Sequence, residues 1–169
     1  MTLVVPFDGS ELAAAALVRA AEFSAVLEEP VLAVSVVPEG GASFARERDL
    51  IDADEQFEME TVVARLREAV RSLCPDAEFR HLVVDRYARA GTVAKRVRRV
   101  AREAEASMVF FGSENAGRMV TTVSCVGASV AADDAYDVVI VRHRSPTKIA
   151  KLREATPRAE LDTGVYGPE

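Results

Sequence analysis

Apolar residues arrive along this chain in two alternating rhythms. Compact runs are followed by longer stretches with an apolar residue every three or four positions. Leu3 to Phe7 is the first compact run, and it predicts a strand buried on both faces. Asp8-Gly9-Ser10 reads as a turn ending in a helix N-cap, Ser10. From Glu11 to Leu27 the chain is alanine-rich, with Ala13, Ala16, Leu17, Ala20, Phe23, Ser24 and Leu27 at helical spacing. Pro30 closes that connection, and Val31 to Val37 is a second buried strand. Pro38-Glu39-Gly40-Gly41 interrupts the pattern. Residues 42–54 are polar and read as a loop or frayed helix, with a lid left open as its role. A long helix through about Cys74 places Val63, Leu66, Val70 and Leu73 on one face, and Pro75-Asp76 ends it. Glu78 to Val84 alternates by halves, as an edge strand does. Asp85 to Gly91 reads as a loop, with Thr92 capping a helix that turns Val93, Val97, Val100, Ala101 and Ala104 inward. Ser107 to Phe111 is the fourth strand. A glycine-containing loop and a helix bearing Val123, Val126, Gly127 and Val130 follow, and Val138 to Val141 is the fifth strand.

Strand–helix alternation of this kind predicts an α/β fold. It is a doubly wound, five-stranded parallel sheet in a three-layer α/β/α sandwich. Ligands of such sheets bind beyond the carboxyl ends of the strands, where the strand order reverses. Asp8-Gly9-Ser10 and Gly112-Ser113 lie at that edge. The domain spans residues 1–143. Residues 144–169 are expected to form a C-terminal extension, with a short basic helix to Ala155 and then a flexible tail rich in Pro, Gly and charge.

Composition narrows the function more by exclusion than by assignment. The 169 residues are 49% hydrophobic and 28% charged, the profile of a globular domain with a real core. Net charge is −6, which argues against nucleic acid as a partner. No apolar run approaches the ~20 residues of a membrane helix, so no membrane association is expected. The first residues enter a strand directly, without a basic segment and long apolar stretch. A secretory signal is therefore not expected, and the cytoplasm is the expected location. Cys74 and Cys125 stand far apart, as do His81 and His143, so neither a disulfide framework nor a metal site is expected. His81 reads as structural, and Cys125 as a small helix residue rather than a redox thiol. The basic run Arg96, Arg98, Arg99 and Arg102 reads as a solvated helix face, tempered by Glu103 and Glu105. There is no G-x-S-x-G elbow and no G-x-x-x-x-G-K-(S/T) loop, and no Lys near Gly112, so no catalytic residues are assigned.

Three segments, taken together, resemble one family. Val4-Val5-Pro6-Phe7-Asp8-Gly9-Ser10 is similar to the V-P-x-D-G-S signature of universal stress proteins. Ala104 to Ser113 is similar to that family's A-x-x-A-D-x-(I/V)-V-x-G-S. Asp137 to Arg142 is similar to its P-V-L-V-V-R last strand. The resemblance implies a Rossmann-like fold of the adenine nucleotide alpha hydrolase type, with strand order 3-2-1-4-5. It implies a regulatory or binding module rather than an enzyme, with ATP or another adenine nucleotide as its ligand. It also implies a homodimer joined through the last strand, Val138 to Arg142, and does not identify a regulatory protein partner. Carried onto this chain, Asp8, with Pro6 beside it, contacts adenosine. Backbone near Val36 touches the base, and a G-x-x-G-(x9)-G-(S/T) loop starting at Gly112 holds phosphates.

That loop departs from the pattern. Asn115 stands where its second glycine belongs, and Ser124-Cys125 or Cys125-Val126 falls where the closing Gly-(Ser/Thr) belongs. Phosphate loops need glycine so that backbone N–H groups can approach the oxygens. Glu114 adds a carboxylate beside the same place, with Arg118, Thr121, Thr122 and Ser124 as candidate offsets. Asn115 itself can take the left-handed conformation. Three readings stay open on the sequence. The chain is a binding module with weak or no nucleotide affinity, a structural dimer with a decayed cleft, or a nucleotide-dependent hydrolase of related fold. Asp8 and Ser10 also have a plainer reading as caps of the first helix.

Overall fold

The structure is a computed structural model that describes residues 1–112 and 126–143. The C-terminal extension expected after residue 143 lies outside the described residues, as do Asn115, Val123, Ser124 and Cys125. In chain order the elements are β1 (Thr2–Pro6), α1 (Glu11–Leu27), β2 (Val31–Pro38), α2 (Ala42–Glu47), α3 (Met59–Leu73), β3 (Glu78–Val84), α4 (Ala90–Glu103), β4 (Ala106–Gly112), α5 (Val126–Ala131) and β5 (Asp137–Val141). The five strands form one parallel sheet in the order β3-β2-β1-β4-β5, as the resemblance implied.

Strand periodicity divides the core between the two faces. Leu3, Val5 and Phe7 join Ala33 and Val37 of β2 under α1 and α3. Val4, Leu32 and Val34 face the other way and pack with Val97, Val100 and Ala101 of α4 and Val130 of α5. Both faces being covered explains why β1 and β2 read as unbroken apolar runs. α1 approaches the sheet closely because its inner positions Ala13, Ala16 and Ala20 are small and buried. Phe110 of β4 is fully buried and meets Phe23 of α1 edge to face, with centroids 5.1 Å apart.

Some expectations need correction. Leu27 and Leu73 are exposed rather than inward, because each ends its helix beyond the edge of the packed face. On α3, Val62 is fully buried alongside the expected Leu66 and Val70. α4 begins at Ala90, with Arg89 as the N-cap and no side-chain cap bond, so Thr92 lies inside the first turn and does not cap the helix. Ala94, not Val93, is the deeply buried residue of that turn. Residues 42–54 are more ordered than their polarity suggested. α2 forms there, and Ala45, Leu50 and Ile51 are buried against the α1–α3 side. His81 is exposed and stacks on Phe79. Among the described residues, no helix is long and apolar enough to cross a membrane.

Candidate functional site

β1 pairs with β2 on one side and β4 on the other, so the chain reverses its winding direction between β1 and β4. Beyond the carboxyl ends of these strands lies a cleft of about 320 Å³. Pro6, Asp8, Val36 and Gly112, the described candidates from the sequence, all line it.

The corner after β1 is built for a sharp change of direction. Gly9 has φ +83°, a conformation that favours glycine. The Ser10 amide donates to Asp8 Oδ1 at 2.9 Å, and the Ser10 hydroxyl accepts from the Ala13 amide at 3.2 Å. Ser10 is therefore the helix cap, and Asp8 braces the turn before it. The buried Ser35 hydroxyl donates to the Phe7 carbonyl at 2.6 Å and satisfies the strand end. Gly112 has a different reason to be glycine. A Cβ there would collide with the Leu12 carbonyl and come within 2.8 Å of the Ala13 amide nitrogen. The close approach that Gly112 permits is thus to the first turn of α1.

Asp8 is half-buried, and its other oxygen, Oδ2, accepts from Arg48 Nε at 3.0 Å. Burial pushes the Asp8 carboxyl up, but hydrogen bonds from Ser10 and the Arg48 cation outweigh it, and its pKa lies below 3.8. Arg48 is held further, and its Nη1 also pairs with Glu47 Oε2 at 3.5 Å. Its guanidinium carbon sits 4.3 Å above the Phe44 ring, and Nη1 donates to the Phe44 carbonyl at 3.3 Å. The connection carrying Arg48 is tied to α3 through Arg65, which donates bidentately to Glu55 at 2.9 Å and also to the Leu50 carbonyl. Arg86, after β3, reaches over Gly40, where any Cβ would collide with its guanidinium. Gly40 has φ +61°, so the turn and the arginine's position both depend on glycine.

Arg48, Arg86 and Phe44 also line the cleft, and sequence reasoning missed all three. Nothing in their spacing marks them, since Arg48 lies 40 residues from its carboxylate partner. The basic run on α4 was read as solvated, but Arg98 and Arg102 both donate to Asp133, whose side chain is fully buried. Among the described residues, no group of three or more His, Cys, Asp or Glu is arranged to hold a metal ion.

This is the architecture of a Rossmann-like α/β sandwich with a cleft at its switch point. The sequence profile of the Universal stress protein family matches residues 1–142, and the chain belongs to that family. No curated protein matches it. Solved structures share the fold at low sequence identity. One is a universal stress protein in complex with cAMP, 20% identical over 86% of this chain and 98% of that one, with a TM-score of 0.58. Another is the universal stress protein UspA from Lactobacillus plantarum, 15% identical over 84% and 97%, with a TM-score of 0.51. A third, a family member from Burkholderia pseudomallei, is 22% identical over 83% and 94%, with a TM-score of 0.50.

Proposed function

We propose that this chain is a regulatory binding module whose cleft takes an adenine nucleotide with modest affinity. The observation that carries this reading is the cleft itself. An apolar wall that includes Val36, Val93 and Val97 faces a rim bearing one carboxylate and two guanidiniums, at the switch point of the sheet. The wall suits a nucleobase, and Asp8 retains acceptor capacity for a base amino group or ribose hydroxyl, since a carboxylate offers about four lone-pair sites. The volume of about 320 Å³ lies near the low end of the ~300–1,000 Å³ typical of small-molecule sites. The complex of a universal stress protein with cAMP supports this ligand class. Affinity is modest because the segment after Gly112 lacks the glycines of a phosphate loop and carries Glu114.

Calorimetry with AMP, cAMP and magnesium-ATP tests the reading. Measurable binding to at least one of them is expected, with a matching rise in melting temperature. Neither heat nor a melting shift at millimolar nucleotide leaves a structural dimer as the better account. Sustained phosphate release from ATP that disappears in Asp8→Ala would instead make the protein a hydrolase.

The same proposal includes a homodimer through β5. Among the described residues β5 has β4 as its sole strand neighbour, and Val138, Val139 and Ile140 are only half-buried. An edge strand with uncovered apolar side chains is a template for pairing. Light scattering should give a dimer mass, and Ile140→Lys should shift it to monomer. A monomeric wild type would overturn this part.

A further inference from the structure

The ionised groups of the cleft point to where a ligand's negative charge would sit. Among the described lining residues there are three: Asp8, Arg48 and Arg86. The lining groups alone sum to one positive charge, on a chain whose net charge is −6, and the exposed Glu47 carboxylate outside the lining pairs with Arg48. A cationic spot with low-dielectric walls on an acidic molecule concentrates anions.

The two arginines differ in how they are prepared. Arg48 is held by Asp8 at Nε, by the ring and the carbonyl of Phe44, and by an ion pair of Nη1 with the Glu47 carboxylate at 3.5 Å. Its Nη2 carries no hydrogen-bond acceptor among the described residues. Arg48 is thus an oriented donor whose charge Asp8 and Glu47 offset. Arg86 has no acidic partner among the described residues, and the missing side chain of Gly40 gives its guanidinium a seat at the rim. It supplies the uncompensated charge. Arginine suits this task because its planar fork stays protonated and matches phosphate geometry.

We propose that Arg48 and Arg86, from the β2–α3 and β3–α4 connections, recognise the anionic group of the ligand in place of a glycine-rich loop after β4. The ligand class is a nucleoside monophosphate, open or cyclic. A cleft of about 320 Å³ holds a nucleoside with one phosphate more readily than one with three. The sequence after Gly112 points the same way, because Glu114, Asn115 and Cys125 stand where a phosphate loop needs neutral, flexible backbone. This inference rests on the nucleotide reading above and deepens it.

Titration of the full chain with adenosine and with AMP separates the two ideas. Wild type should bind AMP roughly tenfold tighter than adenosine, which corresponds to ~1.4 kcal/mol. Arg86→Gln should bring that ratio toward one while leaving adenosine affinity within about twofold, and Arg48→Gln should also bring the ratio toward one, with some loss of adenosine affinity because Arg48 holds Asp8. Added salt should weaken AMP but not adenosine. Arg118→Gln, a change in the segment after β4, should leave the preference intact. Equal affinity for AMP and adenosine in the wild type would overturn the assignment while sparing the nucleobase site. So would a preference that survives both arginine variants, or one that vanishes with Arg118→Gln. If neither adenosine nor AMP binds at millimolar concentration, the nucleotide reading falls and this assignment with it. Arg86 is exposed, so its variant is expected to fold, and melting curves verify that for both.

Discussion

Among the described residues two aspartates meet arginine, and the contrast between them separates structure from function. Asp133, just after α5, has no exposed side-chain surface. Oδ2 accepts from Arg98 at 3.0 Å and Arg102 at 3.1 Å, and Oδ1 from Arg102 at 3.0 Å and the Ala135 amide at 3.1 Å. Nearby the Tyr136 hydroxyl donates to the Val130 carbonyl at 3.1 Å. This cluster ties the end of α5 to α4, and its carboxylate has no capacity left for a ligand. Asp8 keeps 39% of its side-chain surface exposed and meets one guanidinium. Its corner is held by other means: the Gly9 turn, the Ser10 cap, and the backbone contact of Gly112 with α1. A carboxylate that keeps acceptor sites to spare beside a cleft is the better placed of the two for binding.

The comparison can be broken most forcefully at Gly112. If backbone packing holds the Asp8 corner, one methyl group should damage it more than loss of the charge. Gly112→Ala is expected to cost about 3 kcal/mol, the upper end for overpacking, because the obstacle is the α1 backbone. Urea denaturation measures it, and a cost below that of Asp8→Ala would refute the packing account. Asp133→Ala should cost about 2 kcal/mol. That is less than a wholly buried ion pair, since Arg98 and Arg102 are largely exposed and can rehydrate. Nucleotide affinity should be unchanged in this variant.

Acid titration sharpens the contrast. Hydrogen bonding from Arg102, against the opposing effect of burial and with help from Arg98, holds the Asp133 carboxyl down at about 2, against an ordinary 3.8. A carboxylate depressed on folding stabilises the fold above its unfolded pKa and loses that contribution as pH falls through its folded pKa. Melting temperature should therefore drop between pH 3.8 and about 2, and Asp133→Asn should drop less steeply over that interval. An unaltered slope would mean that other carboxylates govern acid unfolding. The smallest stability effect belongs to Asp8→Ala, under about 1 kcal/mol for a partly exposed pair. Its loss should appear instead as nucleotide affinity weakened roughly tenfold, measured by calorimetry. A large stability loss with unchanged affinity would reverse the roles assigned to the two aspartates.

The amino-acid sequence by itself determined the alternation of strands and helices, because those signals are local. Period-two burial, a glycine turn and a serine cap all act within a few residues. Asp8 and Gly112 already stood at the strand ends that the alternation marks, and resemblance in three segments supplied the family and the strand order and added Pro6 and Val36. Helix ends were legible only approximately. Leu27 and Leu73 fit their helical patterns, but burial depends on where the opposing layer stops, and Thr92, expected as a cap, lies inside a helix that starts at Ala90. The charged contacts were decided by the tertiary structure alone. Arg48 reaches Asp8 across 40 residues, and Arg98 and Arg102 reach Asp133 across 35 and 31. No local rule pairs charges at such distances, since folding the sheet is what brings the β2–α3 connection over β1 and the end of α5 beside α4. The sequence marked Asp8 as a residue of interest. The fold decided that Arg48 and Arg86 stand around it, and that Asp133, unremarked in the chain, takes the structural role.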